Sequence, residues 1–388
     1  MATAITQLTI VESGSAIAIA WDDGCVARFH AIWLRDNAQD PATRDAGSGQ
    51  RKVTVLDLDP NIAVARAGLT DAGALQVTFA PGRHQASFES AWLRDRIYDR
   101  PRSDRPGWTR PWIRRWDGRL MDRLPRASHR AVTTKTDALA GWLNSVRRYG
   151  FSILTDVPAE PGAIERVVAL FGYVRETNYG RTFDVRTEVD PVNLAYTGLP
   201  LQVHTDNPYR DPVPTLQLLH CLDSDAGGGD SVVVDGFEAV AHLAREAPDT
   251  LALLARHSVP FAFTRDNATH LAARGPMIEL SPEGELKAVR FNNRSAAPFD
   301  LPYEAMADFY AAYRRFAAIL ERPTLAVTFK LAAGDLFVVD NRRVLHGRTG
   351  YAGAGTRHLQ GCYADIDSLL STLAVLEARR NTERETVV

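Results

Sequence analysis

The sequence predicts a mainly β protein with helical buttresses, in which a barrel or jelly roll follows a small N-terminal β-rich domain. Strand-like apolar runs recur along the chain and are separated by turns rich in Gly, Asp and Pro. Clear helical periodicity is confined to a few segments. The length of 388 residues, against ~100–200 residues for a typical domain, indicates two domains.

Residues 1–100 are predicted to form the small β-rich domain. An Asp-Gly turn at Asp23 and Gly24 predicts a hairpin, because this pair adopts the backbone conformation of a tight turn. The strand-like segments of this domain are Thr6–Val11, Ala16–Trp21, Val53–Leu58 and Leu75–Phe79.

Residues 101–130 are predicted to be a linker, or strap, rich in Arg, Trp and Pro. The prolines and glycines of residues 97–119 exclude a long regular element, and arginines alternate there with tryptophans. Such a pattern is compatible with a surface for single-stranded nucleic acid. The interleaved acids favour instead a strap whose tryptophans dock on the core and whose arginines are solvated or ion-paired. These acids are Asp99, Asp104 and Asp117.

Residues 131–388 alternate helical and strand-like segments and are predicted to form the jelly-roll domain. A first helix is expected to begin with Asp137 as its cap and to end at Gly150. Apolar residues recur at helical spacing through Tyr303–Leu320, which predicts a helix packed against a sheet. The predicted strands are Phe151–Leu154, Leu216–Leu219, Val232–Val234, Val259–Phe263, Met277–Leu280, Ala288–Phe291, Leu325–Phe329, Leu336–Val339 and Leu359–Tyr363.

The composition argues against several classes of protein. Lys and Arg total 45 against 47 Asp and Glu, a net charge of −2, so nucleic-acid binding is not expected. No apolar run approaches the ~18 residues of a membrane helix, and no basic residue precedes Arg28, so neither a membrane span nor a signal peptide is expected. The cysteines Cys25, Cys221 and Cys362 are odd in number and far apart. They indicate a reducing compartment without a disulfide framework, which predicts a cytoplasmic protein.

Two histidines and an aspartate form the candidate metal site. His204 and Asp206 are two positions apart, so on a strand both side chains point to one face and can share a cation. A hydrogen-bonded structural pair is the alternative for this motif alone. His346, shortly after the predicted strand Leu336–Val339, completes two histidines and one carboxylate, the facial triad of non-haem Fe(II) oxygenases.

Arg357 is the candidate partner of an anionic co-substrate. It precedes the predicted strand Leu359–Tyr363, downstream of His346. A 2-oxoglutarate co-substrate needs a fixed bidentate partner for its distal carboxylate, and arginine supplies one. A surface arginine, of which this chain has many, is the alternative.

A set of motifs occurs in a fixed order along the chain. They are Ala31-Ile32-Trp33-Leu34-Arg35-Asp36-Asn37, Val203-His204-Thr205-Asp206, Gly228-Gly229-Asp230-Ser231, Gly334-Asp335, His346-Gly347-Arg348 and Arg357-His358-Leu359-Gln360-Gly361. Together they resemble the γ-butyrobetaine dioxygenase branch of the taurine dioxygenase superfamily. The resemblance covers nearly the whole chain.

The resemblance implies a double-stranded β-helix and hydroxylation of an unactivated C–H bond. It implies Fe(II) held by His204, Asp206 and His346, 2-oxoglutarate held by Arg357, O₂ as the oxidant, and ascorbate as the reductant. Ser231 falls where the family has a hydroxyl residue near the co-substrate. A structural role for Ser231 at a strand end is the alternative.

The resemblance also implies a pocket for a trimethylammonium group. The family holds this group in an aromatic cage, because the group offers no hydrogen bond and ring faces attract it by about 0.5–2 kcal/mol each. Phe183 replaces the tryptophan common in the family and keeps a π face. Each ring taken alone is also explained by core packing. The four positions that match the cage are Tyr179, Phe183, Tyr196 and Tyr363.

Polar residues match, or adjoin, the family positions that hold the acidic group of the substrate. Arg294 adds a positive charge there, and Asn207 directly follows the triad aspartate. A nearly dianionic phosphonate uses more donors than a carboxylate does, and each charged contact contributes roughly 1.5–3 kcal/mol. These donors favour a phosphonate, and the chain resembles 2-(trimethylammonio)ethylphosphonate dioxygenases more than the carnitine-forming enzyme, which implies hydroxylation at C1 in organophosphonate degradation. The polar set is Asn193, Asn207, Asn292, Asn293 and Arg294.

Two other functions remain as alternatives. One is γ-butyrobetaine dioxygenase, which forms L-carnitine, and the other is a non-catalytic binding protein for quaternary amines. Family members commonly bind structural zinc near residues 38–43 through cysteines, but this stretch has no cysteine, so zinc is not expected even though His84 lies at a matching place. A homodimer is an expectation from the family.

Overall fold

The computed structural model describes residues 4–99, 106–186, 199–225, 227–265, 268–350 and 356–386. The chain divides into two compact units, Met1–Arg102 and Ser103–Val388. In the part of the chain so described, every helix is too short or too polar to cross a membrane.

The N-terminal unit contains two three-stranded antiparallel sheets, in the orders β1-β2-β3 and β4-β5-β6. Its apolar core includes Ile17, Phe29 and Phe79, all fully buried. The predicted Asp-Gly hairpin joins β2 and β3, with Gly24 at a φ of +79°. The elements are β1 (Ile5–Val11), β2 (Ala16–Trp21), β3 (Val26–His30), α1 (Ala31–Asp36), β4 (Ala63–Leu69), β5 (Leu75–Ala80), β6 (Gln85–Phe88) and α2 (Ser90–Asp95).

The predicted strand Val53–Leu58 is wrong. Val55–Asp57 is a single 3₁₀ turn instead. Asp57 Oδ2 accepts hydrogen bonds from the Thr54 backbone N at 2.7 Å and from Thr54 Oγ1 at 2.9 Å. This reciprocal cap closes the chain into a turn, which apolar content alone does not reveal.

His84 contacts a carboxylate in the N-terminal unit. Its Nε2 lies 3.0 Å from Asp40 Oδ2, which also accepts a hydrogen bond from Thr43 Oγ1 at 3.0 Å. A hydrogen-bonded cluster thus occupies the place where the family resemblance raised the question of zinc.

The second unit contains a jelly roll surrounded by helices. Its strands are β7 (Arg126–Ser128), β8 (Phe151–Thr155), β9 (Val174–Arg175), β10 (Phe183–Val185), β11 (Leu201–His204), β12 (Leu216–Ser224), β13 (Ser231–Asp235), β14 (Ser258–Arg265), β15 (Thr269–Pro276), β16 (Ile278–Leu280), β17 (Leu286–Val289), β18 (Ala326–Phe329), β19 (Leu336–Asp340), β20 (Val344–Arg348) and β21 (Arg357–Ala364). Its helices are α3 (His129–Thr134), α4 (Thr136–Tyr149), α5 (Ala163–Val168), α6 (Gly236–Glu246), α7 (Pro248–Arg256), α8 (Tyr303–Leu320) and α9 (Ile366–Thr386).

Two sheets form the double-stranded β-helix. The larger has the order β10-β21-β12-β19-β8-β7, with β9 paired to β21, and the smaller has the order β11-β20-β13-β18. Successive strands of the chain alternate between the two sheets, as β10 to β13 do, and this alternation is typical of a jelly roll. The predicted fold class is confirmed.

Side chains alternate between the two faces of β12 because a strand has a period of two residues. Gln217 and Leu219 line the interior cavity. Leu216 and Leu218 belong to the opposite face, where they join a buried cluster that includes residues of α4 and α5. The larger sheet therefore supplies the cavity on one side and a helix-covered core on the other.

Some predicted boundaries shift for identifiable reasons. Helix α4 begins at Thr136, and its N-cap is Lys135 without a side-chain cap, so Asp137 lies in the first turn instead of capping. Gly150 ends α4 at a φ of +77°, as predicted, and a Cβ there would lie 2.7 Å from Val344 Cγ2. The strand predicted at Ala288–Phe291 ends at Val289, because Phe291 N bonds to Thr205 Oγ1 at 3.1 Å.

The Arg/Trp strap is docked over much of its described length. Trp116 is buried against Phe151, with ring centroids 5.1 Å apart, and its Nε1 donates to Tyr149 O at 2.6 Å. Trp108 Nε1 donates to Glu283 O at 3.0 Å, whereas Trp112 is 48% exposed. The three acids of the strap prediction differ: Asp117 pairs with Arg119, Asp99 pairs with Arg28, and Asp104 lies outside the described residues.

Candidate metal centre and substrate cavity

The three predicted metal ligands come together at the edge of the smaller sheet. His204 on β11 is paired directly with His346 on β20. Asp206 Oδ1 lies 3.3 Å from His204 Nε2 and 3.8 Å from His346 Nε2. One ligand atom from each residue lies within 4.8 Å of the others. Strand β11 ends at His204, so the expectation that His204 and Asp206 share one strand face is wrong.

Two amide side chains and a tyrosine hold Asp206 in place. Its Oδ2 accepts hydrogen bonds from Gln217 Nε2 at 2.5 Å and from Tyr363 OH at 2.9 Å. Asn341 bridges the backbone, since Asp206 N donates to Asn341 Oδ1 at 2.6 Å and Asn341 Nδ2 donates to Asp206 O at 2.9 Å. Oδ1 remains directed at the two histidines, as a metal ligand would need.

The protonation state of this group suits a divalent cation. Burial opposes ionisation of Asp206, but the contacts of its carboxylate with His204 and His346 and the positive charge of Arg294 hold its pKa well below the usual range. Burial lowers the pKa of His346 to about 3. His204 Nδ1 lies 2.8 Å from Gln202 O, so it carries the proton and leaves Nε2 as an acceptor. Arg294 Nη2 donates to that Nε2 at 2.7 Å.

The donor set therefore fits non-haem Fe(II). Two neutral imidazoles and one carboxylate on one face match the ligand type and number of a facial triad. His204, Asp206 and His346 would hold the ion, with Gln217, Tyr363 and Asn341 orienting the carboxylate.

A cavity of about 440 Å³ opens beside this group in the second unit. Eleven of the residues predicted from the sequence line it: Tyr179, Phe183, His204, Asp206, Asn207, Ser231, Asn292, Arg294, His346, Arg357 and Tyr363. Asn293 is absent from this lining, and Asn193 and Tyr196 lie outside the described residues. Sequence reasoning missed several lining residues, among them Tyr209, Gln217, Phe263 and Arg348.

Part of the cavity wall is strongly basic. Arg357 begins β21, Ser231 begins β13, and Arg348 ends β20 opposite Ser231 in the sheet register. Arg348 is buried and donates to Leu199 O at 3.2 Å. Its position two residues after His346 places both side chains on one strand face, a spacing that could have identified it.

Aromatic rings form another part of the cavity wall. Phe183 lies 5.8 Å from Tyr179 and 5.3 Å from Tyr363 between ring centroids. Phe263, which the sequence did not single out, stacks on Tyr209 at 5.0 Å and lies 5.9 Å from Tyr179. A Cβ at position 361 would lie 2.4 Å from Phe183 Cε2, so Gly361 makes room for this ring.

The predicted asparagines differ in the availability of their amides. Asn207 is buried at a φ of +53°, its Oδ1 accepts from Tyr209 OH at 2.6 Å, and its Nδ2 has no hydrogen-bond partner among the described residues. Both ends of the Asn292 amide bond to backbone: its Nδ2 donates to Thr205 O, and its Oδ1 accepts from the backbone N of Arg294. Asn293 is exposed and bonds to Gln202 at 2.6 Å. Among the described asparagines of this set, Asn207 is therefore the one whose side-chain nitrogen makes no hydrogen bond.

Comparison with known proteins agrees with this site. Residues 125–363 match the family described as "Taurine catabolism dioxygenase TauD, TfdA family", and residues 8–94 match "Gamma-butyrobetaine hydroxylase-like, N-terminal". The chain therefore belongs to the TauD/TfdA family. It is a 2-oxoglutarate-dependent non-haem Fe(II) dioxygenase.

Two kinds of dioxygenase are among its curated relatives. Gamma-butyrobetaine dioxygenase of Pseudomonas sp. (strain AK-1) is 39% identical over 94% of each chain, and that of Homo sapiens is 31% identical over 98% of this chain and 99% of its own. Trimethyllysine dioxygenase of Meyerozyma guilliermondii is 28% identical over 95% of each chain. Among solved structures, asparagine oxygenase (AsnO) covers 61% of this chain and 82% of its own, with 18% identity and a TM-score of 0.47. The fold assignment rests on the strand order given above.

Proposed function

We propose that the protein hydroxylates a small trimethylammonium compound with an acidic group, and that γ-butyrobetaine is its substrate. The observation that carries the proposal is the cavity itself, which has an aromatic wall, an arginine-rich wall and the candidate iron ligands around one space. The two curated relatives at 39% and 31% identity are both gamma-butyrobetaine dioxygenases. They support this alternative over the phosphonate predicted from the sequence.

The aromatic wall suits the cationic end of such a substrate. A quaternary ammonium cannot donate a hydrogen bond, so ring faces are the available attraction, at about 0.5–2 kcal/mol each. The rings of Tyr179, Phe183 and Tyr363 line the cavity, together with Tyr209 and Phe263.

The charge of the cavity suits the acidic end. Among the lining residues that the structure describes, three are arginines (Arg294, Arg348 and Arg357) and one is a carboxylate, Asp206. The charges of Fe(II) and of the 2-oxoglutarate dianion cancel, so this described lining favours an anionic group on the substrate. With Arg357 and Ser231 assigned to 2-oxoglutarate, the acidic group of the substrate is assigned to Asn207 Nδ2–H and to Arg294, whose guanidinium would turn from His204 Nε2 when Fe(II) takes that atom.

The protein's own contribution to the reaction is positioning. When bound, Fe(II) with 2-oxoglutarate and O₂ supplies the oxidising power for hydroxylation, and 2-oxoglutarate is converted to succinate and CO₂. The aromatic wall and the Arg294–Asn207 pair hold the two ends of the substrate. One C–H bond of the intervening chain is thereby presented to the metal, and water is excluded.

A second candidate substrate is 2-(trimethylammonio)ethylphosphonate. It is favoured by the guanidinium of Arg294 and the amide nitrogen of Asn207, which both line the cavity, because a tetrahedral phosphonate accepts more hydrogen bonds than a carboxylate. Hydroxylation would then fall on C1.

Succinate formation tests both candidates. Purified protein with Fe(II), ascorbate and 2-oxoglutarate is assayed with each compound, and we expect γ-butyrobetaine to stimulate succinate formation more strongly. Greater stimulation by the phosphonate would replace the first candidate with the second. Arg294→Gln, compared with the exposed control Arg274→Gln, should raise the KM of the true substrate. Stimulation by neither compound would contradict the proposal while leaving the dioxygenase class unaffected.

A further inference from the structure

A second cavity in the same unit, of about 370 Å³, lies over the docked strap. Its lining includes the four arginines Arg114, Arg115, Arg119 and Arg123, and we call it the arginine basin. We propose that the arginine basin binds the phosphate dianion of a small phosphate monoester. This site is separate from the catalytic cavity, and no lining residue is shared between the two.

The charges of the basin leave two arginines available. Arg119 is paired with Asp117 at 2.8 Å, and Arg115 lies 3.5 Å from Glu238. Arg114 and Arg123 have no carboxylate within ion-pair distance in the described part of the chain. The basin therefore carries two unneutralised positive charges, which equal the charge of a phosphate monoester near neutral pH.

The backbone that presents these arginines is firmly held. Arg343 and Asp235 form a buried ion pair at 2.7 Å, and Arg343 Nη2 also donates to Arg114 O at 2.7 Å. Asp235 Oδ2 accepts from Trp116 N at 3.1 Å. The next residues are fixed by Gly118 N, which donates to Thr324 O at 2.8 Å. At Arg114, binding an anion would therefore order the arginine side chain without ordering the backbone, which lowers its entropic cost.

The chemistry of arginine selects a phosphate oxyanion. The guanidinium fork pairs bidentately with phosphate oxygens, and two such forks can share one tetrahedral group. Tyr149 also lines the basin, and the Arg148 guanidinium carbon lies 5.9 Å from its ring centroid. This ring offers an apolar surface to the organic part of the ligand. The paired acids Asp117 and Glu238 in the lining would repel a long polyanion, which disfavours nucleic acid.

Calorimetric titration of the full-length protein, loaded anaerobically with Fe(II) and 2-oxoglutarate, tests this site. The probes are inorganic phosphate and adenosine monophosphate. We expect the double variant Arg114→Gln, Arg123→Gln to weaken binding by about tenfold or more for each charge removed. The exposed control Arg130→Gln should leave the dissociation constant within about twofold. Tighter binding of the nucleotide than of phosphate would assign a role to the organic part, and equal binding would assign recognition to the phosphate alone.

Three outcomes would overturn the proposal. They are absence of saturable binding for either probe, equal binding by the double variant, and loss of binding in Arg294→Gln, since the last would locate the phosphate in the catalytic cavity. Equal thermal unfolding midpoints of the wild type and the double variant show that a loss of binding is local. Succinate formation by the double variant should be unchanged, so the failure of this proposal is distinct from failure of the catalytic assignment.

Discussion

The iron end and the substrate end of the catalytic cavity are held by different kinds of structure. At the iron end, His204 and His346 lie on adjacent strands in direct register, and Asp206 is fixed through both its side chain and its backbone. At the substrate end, Tyr179 lies outside regular strands, Phe183 lies on the edge strand β10, and Phe263 lies on the separate two-stranded sheet β14–β15. The sheets of the jelly roll thus position the residues that determine the reaction type, while loops and edge elements position residues that determine which substrate binds.

The largest expected effect is at the iron end. His204→Ala removes one of three ligands, so we expect loss of Fe(II) binding and of all detectable succinate formation. Iron content after anaerobic loading and gel filtration measures this directly, and His270→Ala, at an exposed position of β15, is the control. Full activity of His204→Ala would contradict the assignment of His204 as an iron ligand.

Loss of Arg357 should affect the co-substrate rather than the metal. Arg357→Gln removes a charge-assisted bidentate contact of roughly 1.5–3 kcal/mol, which corresponds to a rise of about 10- to 150-fold in the KM for 2-oxoglutarate. Iron content should be unchanged. Arg348→Gln is the informative comparison, because it lines the same basic wall. A larger rise in KM for Arg348→Gln than for Arg357→Gln would reverse the assignment.

A substitution at Gln217 tests whether the hydrogen bond to the iron ligand Asp206 contributes to Fe(II) affinity. Gln217→Leu removes the 2.5 Å hydrogen bond to Asp206 Oδ2 and keeps a similar volume. Outer partners of metal ligands typically contribute 10- to 100-fold to metal affinity, so a loss of about that size is expected in an Fe(II) titration. Gln85→Leu, on an exposed position of β6, controls for the substitution itself. Unchanged affinity would mean that Asn341 and Tyr363 suffice to orient the carboxylate.

A smaller effect is expected from a single ring of the aromatic wall. Phe183→Leu keeps the apolar surface but removes the π face, so the KM for a trimethylammonium substrate should rise by roughly 2- to 30-fold, or 0.5–2 kcal/mol. The carbon isostere 5,5-dimethylhexanoate, which lacks the positive charge, separates the two contributions by competition. Its inhibition constant should change less than the KM of γ-butyrobetaine. Equal changes in the inhibition constant and in the KM would mean that the aromatic wall attracts the substrate only as a hydrophobic surface.

The difference between the two ends also explains how far the sequence could predict the site. His204, Asp206 and His346 were predictable because few residue types bind Fe(II), so their identity and spacing carry information. Gln217 and Asn341 were missed because a buried amide has many uses, and Asn341 contacts Asp206 across 135 positions of the chain. Tyr209 and Phe263 were missed because aromatic residues are ordinary core residues.

The limits of the fold prediction have the same origin. Apolar runs located most strands of the jelly roll, because strands buried on both sides have that pattern. The pattern failed at Val53–Leu58, where the cap between Thr54 and Asp57 decides the local structure, and at Phe291, whose backbone bonds to Thr205 instead of a neighbouring strand. Both failures depend on single hydrogen bonds that periodicity does not encode.

The smallest expected effect is on stability and is confined to acid conditions. It arises from His220, on the face of β12 that is turned away from the cavity. His220 is fully buried there, and burial lowers its pKa from 6.5 to about 4. The unfolded chain therefore binds more protons than the folded one between these values, so stability is complete above pH 6.5 and falls as the pH drops toward 4. The shift corresponds to a loss of at most about 3 kcal/mol.

His220→Leu should remove this dependence because a leucine of similar size cannot be protonated. Its thermal unfolding midpoint should match that of the wild type at pH 8 and exceed it at pH 5, whereas the exposed control His270→Gln should follow the wild type at both values. Since Gln217 lies on the same strand and supports the iron ligand Asp206, acid conditions should weaken iron binding in the wild type before they weaken it in His220→Leu. An unchanged pH dependence in His220→Leu would assign the acid sensitivity to the ligands themselves rather than to the sheet that carries them.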